Sequence, residues 1–155
     1  MKQKAIICDI DGVLLHTEHI FKQIDELGLT GVDKWNYFNR HANDFDVEID
    51  FRVVELVESF AKNGFRIIFL TARAQDIESQ TRAKIDSAIG QYANEVFPFL
   101  LLMRPSDCVE TSDTVKKVWV DLLREKYDIY CAIDDDPKNC EMFTKRNILT
   151  LQVHK

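Results

Sequence analysis

The chain has 155 residues, 46% of them hydrophobic and 30% charged, with a net charge of −6. That is the size of one domain with a core of its own, and the composition excludes a disordered polymer. The acidic excess excludes a protein that coats duplex nucleic acid by neutralising many phosphates, but not a site that grips one terminal phosphate.

Met1-Lys2-Gln3-Lys4 leads into an apolar run at residues 5–8, the first expected strand. Asp9 and Asp11 interrupt that run too early for a signal peptide, and no later run is long enough for a membrane span, so a soluble cytoplasmic protein is expected. Asp9-Ile10-Asp11-Gly12-Val13 is the most informative stretch. Alternate residues of a strand project to the same side, so both acids leave the strand tip together and Gly12 lets the chain turn beneath them. Such a pair can hold a divalent cation and divide the roles of nucleophile and acid/base, which makes phosphoryl chemistry the first hypothesis. An Asp-Gly turn after a strand is also common without any function.

Residues 14–50 are too long for a simple connection. They contain a helical segment at 17–27 and the rings of Trp35, Tyr37, Phe38 and Phe45 among charged residues. On the simpler reading these rings pack a small cap-like insertion; on the other they belong to a lid, with a ring that stacks on a base. A helix at 51–62 puts Val53, Val54, Leu56, Val57 and Phe60 on one side and ends before Gly64 at C′.

The second strand, 67–70, runs into Thr71-Ala72-Arg73, a hydroxyl and a guanidinium at a strand tip. Thr71 can equally cap the helix expected at 76–92, and Arg73 can be a surface charge. A third strand spans 99–103, and a polar loop leads to a helix at 113–126 with Lys116 on its first turn. A lone helical lysine is usually solvated, and Lys117 competes for the same role.

The fourth strand, 130–133, closes on Asp134-Asp135-Asp136. One like-charge contact at about 4 Å costs roughly 4 kcal/mol at an effective dielectric near 20, and a bound metal relieves it. Asp136 before Pro137 has the simpler reading of an N-cap for a helix at 137–146; Asp134 and Asp135 do not. A fifth strand is expected at 148–153.

Each strand is nearly all apolar, as strands buried on both faces are. Their alternation with helices predicts an α/β fold: a three-layer, Rossmann-like parallel sheet with helices on both faces and ligands beyond its C-terminal strand ends. Cys8, Cys108, Cys131 and Cys140 show neither Cys-x-x-Cys nor zinc-finger spacing and read as reduced thiols.

The ordered set Asp9-Ile10-Asp11-Gly12, Thr71, Lys116 and Asp134-Asp135 resembles the four motifs of the haloacid dehalogenase (HAD) superfamily of phosphotransferases, over nearly the whole chain. The resemblance implies a HAD-like domain over 1–155 in which the first strand is central, flanked by the second and fourth, so that all four motifs converge. It implies Asp9 as nucleophile, Asp11 as acid/base, and Thr71 and Lys116 on the phosphate. It also implies Mg²⁺ held by Asp9, the main-chain carbonyl of Asp11, and Asp135, with Asp134 or Asp136 on a coordinated water.

A closer likeness is to the phosphatase half of bacteriophage-type polynucleotide kinase-phosphatases, which remove 3′-phosphates from nucleic-acid ends. It rests on Val53-Val54-Glu55-Leu56 through Gly64 to Thr71-Ala72-Arg73, on Leu102-Met103-Arg104 with Asp107, on residues 113–116, and on Ala132-Ile133-Asp134-Asp135. It implies that Arg73 binds phosphate, with Gly12 and Arg104 also on the substrate side. Glu110 and Thr111 depart from the pattern, since that group tends to carry an arginine there. No Gly-x-x-x-x-Gly-Lys-Ser/Thr loop occurs, so no kinase half is expected in this chain.

The expected substrate is a nucleic-acid 3′ end or a nucleotide, with a deoxynucleotidase or other small-molecule phosphatase as the alternative. A receiver-type phosphoacceptor module also uses acidic strand tips, Mg²⁺, a Thr and a Lys. It keeps its acceptor Asp alone on a middle strand and its Lys late, whereas here Asp-x-Asp-Gly comes first and the acidic triplet follows the Lys.

Overall fold

In the computed structural model, which describes residues 1–154, the elements in chain order are β1 (Gln3–Cys8), β2 (Leu15–His16), α1 (Glu18–Glu26), α2 (Gly31–His41), β3 (Glu48–Ile49), α3 (Phe51–Lys62), β4 (Arg66–Ala74), α4 (Glu78–Tyr92), β5 (Phe99–Arg104), α5 (Ser112–Lys126), β6 (Tyr127–Asp134), α6 (Pro137–Lys145) and β7 (Leu149–Gln152). Five strands form one sheet in the order β5-β4-β1-β6-β7, all pairs parallel. The first strand is therefore central, with the expected second and fourth strands, β4 and β6, on either side.

Strand alternation divides the core between two faces. Ile6, Cys8, Ile67, Phe69, Cys131 and Ile133 pack one face against residues of α1 to α4, including Ile20, Ile24, Phe38, Val54, Val57, Ile85 and Ile89. Ala5, Ile7, Ile68, Leu70 and Ala132 pack the other against Val120 and Leu123 of α5 and Met142 and Phe143 of α6. Helices thus cover both faces in three layers, as the sequence predicts.

Local chemistry explains two of the helix starts. Asp50 caps α3 by accepting the Arg52 N–H at 3.1 Å. Asp136 caps α6 by accepting the Lys138 N–H at 2.8 Å, with Pro137 in the first helical position where its missing donor costs nothing.

Three details differ from expectation. The strand expected at 67–70 runs on to Ala74, with a register shift against β5 beyond Leu70, and a 3₁₀ turn at Gln75–Ile77 precedes α4. β7 is an edge strand with Leu149 and Leu151 exposed, not a strand buried on both faces. Residues 14–50 hold a second helix, α2, and an antiparallel β2–β3 pair in addition to the expected helix. Among the described residues, no helix is long and apolar enough to cross a membrane.

Candidate active site

β1 and β6 are parallel neighbours in the middle of the sheet, so their C-terminal ends deliver two acidic motifs to one place. The Asp9 N–H donates to the Ile133 carbonyl at 2.9 Å, extending the ladder one residue past β1 and setting Asp9 beside the start of the triplet. Oxygen atoms of Asp9, Asp134 and Asp135 lie within 4.8 Å of one another. Beyond Asp9 the chain turns tightly: Leu15 N–H and Val13 N–H both donate to the Ile10 carbonyl, and Gly12 N–H donates to that of Leu15.

Gly12 is required here on two counts. Its φ is +78°, and a Cβ would lie 2.0 Å from Asp135 Oδ2 and 2.6 Å from its Cγ. The side-chain-free turn is what admits the third carboxylate of the cluster.

Lys116 reaches this cluster from α5, 1% exposed, with Nζ at 2.6 Å from Asp134 Oδ2 and 2.9 Å from Asp9 Oδ1. Lys117, the competing residue, is exposed. Asp134 also accepts from Asn139 Nδ2 at 3.2 Å and from the Asp136 N–H at 3.0 Å. Burial, then the charge of Asp134, pushes the Asp9 carboxyl well above its usual range, with Lys116 only partly opposing. Burial pulls the Lys116 ammonium down, but the charges of Asp9 and Asp134 outweigh it and leave its pKa raised.

Both shifts arise from burial together with the pairing of two buried carboxylates, Asp9 and Asp134, with one ammonium, and Asp135 adds a third carboxylate to the cluster. Clustered carboxylate oxygens are the donors a hard divalent cation takes, so Asp9, Asp134 and Asp135 fit a metal.

On the opposite face of the sheet, Arg73 from β4 is buried and grips Asp11. Its Nη2 donates to Asp11 Oδ1 at 2.7 Å and its Nε to Oδ2 at 2.9 Å. The same guanidinium donates to Asn43 Oδ1 at 2.6 Å, Thr81 Oγ1 at 3.3 Å and the Ala42 carbonyl at 3.1 Å, over the ring of Phe38.

Asp11 turns its carboxylate to Arg73, outside the acidic trio; the metal contact expected of Asp11 is through its main-chain carbonyl. The geometry changes two other expectations. Arg73 spends its donors on protein rather than presenting them to a phosphate. Arg104, expected on the substrate, donates to the main-chain carbonyls of Ala72 (3.0 Å), Cys108 (3.5 Å) and Glu110, and so staples the loop after β5 to the end of β4.

Thr71 is fully buried and accepts the Arg73 N–H at 3.1 Å; it caps no helix. Asp136 serves as the helix cap and Asp134 as the cluster member. Asn43, Thr81 and Asn139 were not anticipated, because polar residues on a loop and on two helices carry no spacing signal toward partners on other elements.

The fold resembles that of a Pnkp1 chain from a Pnkp1/Rnl/Hen1 complex at TM-score 0.71 and 21% identity, over 98% of this chain and 46% of that one. A class C acid phosphatase from Bacillus anthracis with tungstate bound gives TM-score 0.67 and 16% identity over 95% and 62%. A hydrolase from Streptococcus pneumoniae TIGR4 gives 0.58 and 18% over 100% and 95%. The chain thus spans under half the length of the Pnkp1 chain. No curated protein sequence matches it. Residues 3–155 match the family model described as the polynucleotide kinase PNKP phosphatase domain. With nearly every residue inside that match, the chain belongs to this family of HAD-type phosphatase domains, hydrolases of phosphate monoesters.

Proposed function

We propose that this domain is a Mg²⁺-dependent phosphomonoesterase that works through an aspartyl-phosphate on Asp9 and removes phosphate from nucleic-acid 3′ ends. The observation that carries the reading is the buried meeting of Asp9, Asp134 and Asp135 with Lys116, while the Asp11 carboxylate stands apart from them. A nucleophile and a proton carrier need that separation, because one carboxylate cannot do both in the same step.

Asp9 attacks phosphorus as the ester P–O bond breaks, and the departing alkoxide takes the proton of Asp11. Water then attacks the aspartyl-phosphate, gives its proton to Asp11, and the Asp9 oxygen leaves with its electron pair. Lys116 opposes in part the burial that disfavours the ionised form of Asp9, and with the Thr71 hydroxyl offers donors to the equatorial oxygens. Asp9, the Asp11 carbonyl, Asp134 and Asp135 would hold Mg²⁺, whose charge offsets the carboxylates and so lets a phosphate dianion approach.

Residues 14–50 form a small cap-like insertion in this single domain. The Pnkp1 neighbours belong to an RNA repair complex with Rnl and Hen1, which supports a polynucleotide end as substrate. So do Phe45, fully exposed, and Trp35, half-exposed, since aromatic faces stack on bases without sequence preference.

The test compares phosphate release from 3′-phosphorylated oligonucleotides with that from nucleoside monophosphates and sugar phosphates, with Mg²⁺ and with chelator. The oligonucleotide is expected to give the highest kcat/KM and chelator to stop all three. Faster turnover of mononucleotides would instead assign a deoxynucleotidase.

A further inference from the structure

A guanidinium has five N–H donors, and in Arg73 every one has an acceptor within the protein. Its side chain is 0% exposed, whereas that of Asp11 is 22% exposed. No donor is left for a phosphate, yet the carboxylate that Arg73 holds is open to solvent. We infer that Arg73 is a positioning residue: it fixes Asp11 for proton transfer, and Asn43, Thr81 and the Ala42 carbonyl fix Arg73 in turn. The inference rests on the reading of Asp11 as acid/base.

The arrangement suits a carboxylate that must gain and lose a proton without moving. Nε lies within reach of both Asp11 oxygens, 3.2 Å from Oδ1 and 2.9 Å from Oδ2, while Nη2 sits on Oδ1. Oδ1 alone can therefore keep the fork while Oδ2 takes or gives the proton. The planar, two-point grip also sets the carboxylate plane, which a point-charge ammonium cannot do.

The supports come from elsewhere in the chain: Ala42 and Asn43 follow α2 in the insertion, and Thr81 lies on α4. Asn43 Nδ2 also donates to Thr81 Oγ1 at 3.2 Å, closing the network. The insertion thus holds the proton carrier of the site.

The experiment compares kcat/KM for a 3′-phosphorylated oligonucleotide, whose alkoxide must be protonated to leave, with that for 2,4-dinitrophenyl phosphate, whose phenolate leaves without a proton. Arg73→Lys is expected to lower the oligonucleotide value by about 10²-fold or more, within the range of general acid help, and Asn43→Ala, one step further from Asp11, by about tenfold. In each variant the loss on the aryl substrate is at least about fivefold smaller, and inhibition by inorganic phosphate is unchanged.

Equal losses on both substrates with weaker phosphate inhibition would make Arg73 a phosphate ligand and overturn the inference. So would an Asn43→Ala enzyme equal to wild type, a variant that leaves the buried arginine in place should Arg73→Lys fail to fold. Asp9→Asn is the separate control: turnover retained there removes the phosphatase reading itself, whatever the Arg73 variants do.

Discussion

A single methyl group at position 12 would collide with the Asp135 carboxylate and force a side chain into a left-handed turn. Gly12→Ala is therefore expected to lose Mg²⁺ affinity by at least about tenfold while the sheet remains intact, read by calorimetric metal titration beside circular dichroism. Lys116 holds two buried carboxylates together in the absence of a metal. Lys116→Met should lower stability by roughly 3 to 5 kcal/mol without metal, since removing one partner strands buried charge, and Mg²⁺ should restore more of it than it adds to wild type. Chemical denaturation with and without Mg²⁺ measures this, and a metal-independent loss would contradict it. Asp11→Asn should cost about 10² to 10⁴ in kcat, the range for a lost proton carrier, with the fold unchanged.

At the scale of elements, α3 offers a test that avoids the site. Its cap, Asp50, is held at a pKa of about 2, first by the side-chain hydrogen bonds from Arg52 and against its own burial. That is below the value of about 3.9 for an unfolded Asp, so the contribution to stability is full above about pH 4 and is lost as pH falls toward 2. Asp50→Ala should cost about 1 kcal/mol at neutral pH, and Asp50→Asn, which keeps a capping oxygen, should cost less and flatten the acid limb. Urea midpoints between pH 6 and pH 2.5 give both numbers.

The elements that were legible in the sequence share one property: their signal is local. Apolar runs bounded by charged or turn residues marked β1, β5 and the C-terminal half of β6, and Asp136-Pro137 marked the start of α6. α2 escaped because it begins at a glycine, mixes rings with charges, and buries little besides Phe38. β7 read as a core strand because its residues are apolar, whereas an edge position leaves Leu149 and Leu151 in solvent.

Across the whole molecule, the strand order does the work that no single motif does. With β1 in the centre, β4 and β6 on its flanks, and α5 on the face below, chain segments more than a hundred residues apart end within hydrogen-bonding distance of one another. That convergence was expected from the resemblance that the order of motifs carries, while the alternation of strands and helices by itself placed ligands beyond the C-terminal strand ends. The partner of Asp11 was not expected. Whether Arg73 faces a phosphate or a carboxylate depends on Ala42, Asn43 and Thr81 arriving from two other elements, and nothing in their spacing announces it.

The central claim is tested most directly by phosphate release from a 3′-phosphorylated oligonucleotide in Mg²⁺, measured side by side for wild type, wild type with chelator, and Asp9→Asn. The account predicts steady release in the first and none in the other two; release that persists with chelator or in Asp9→Asn would contradict it.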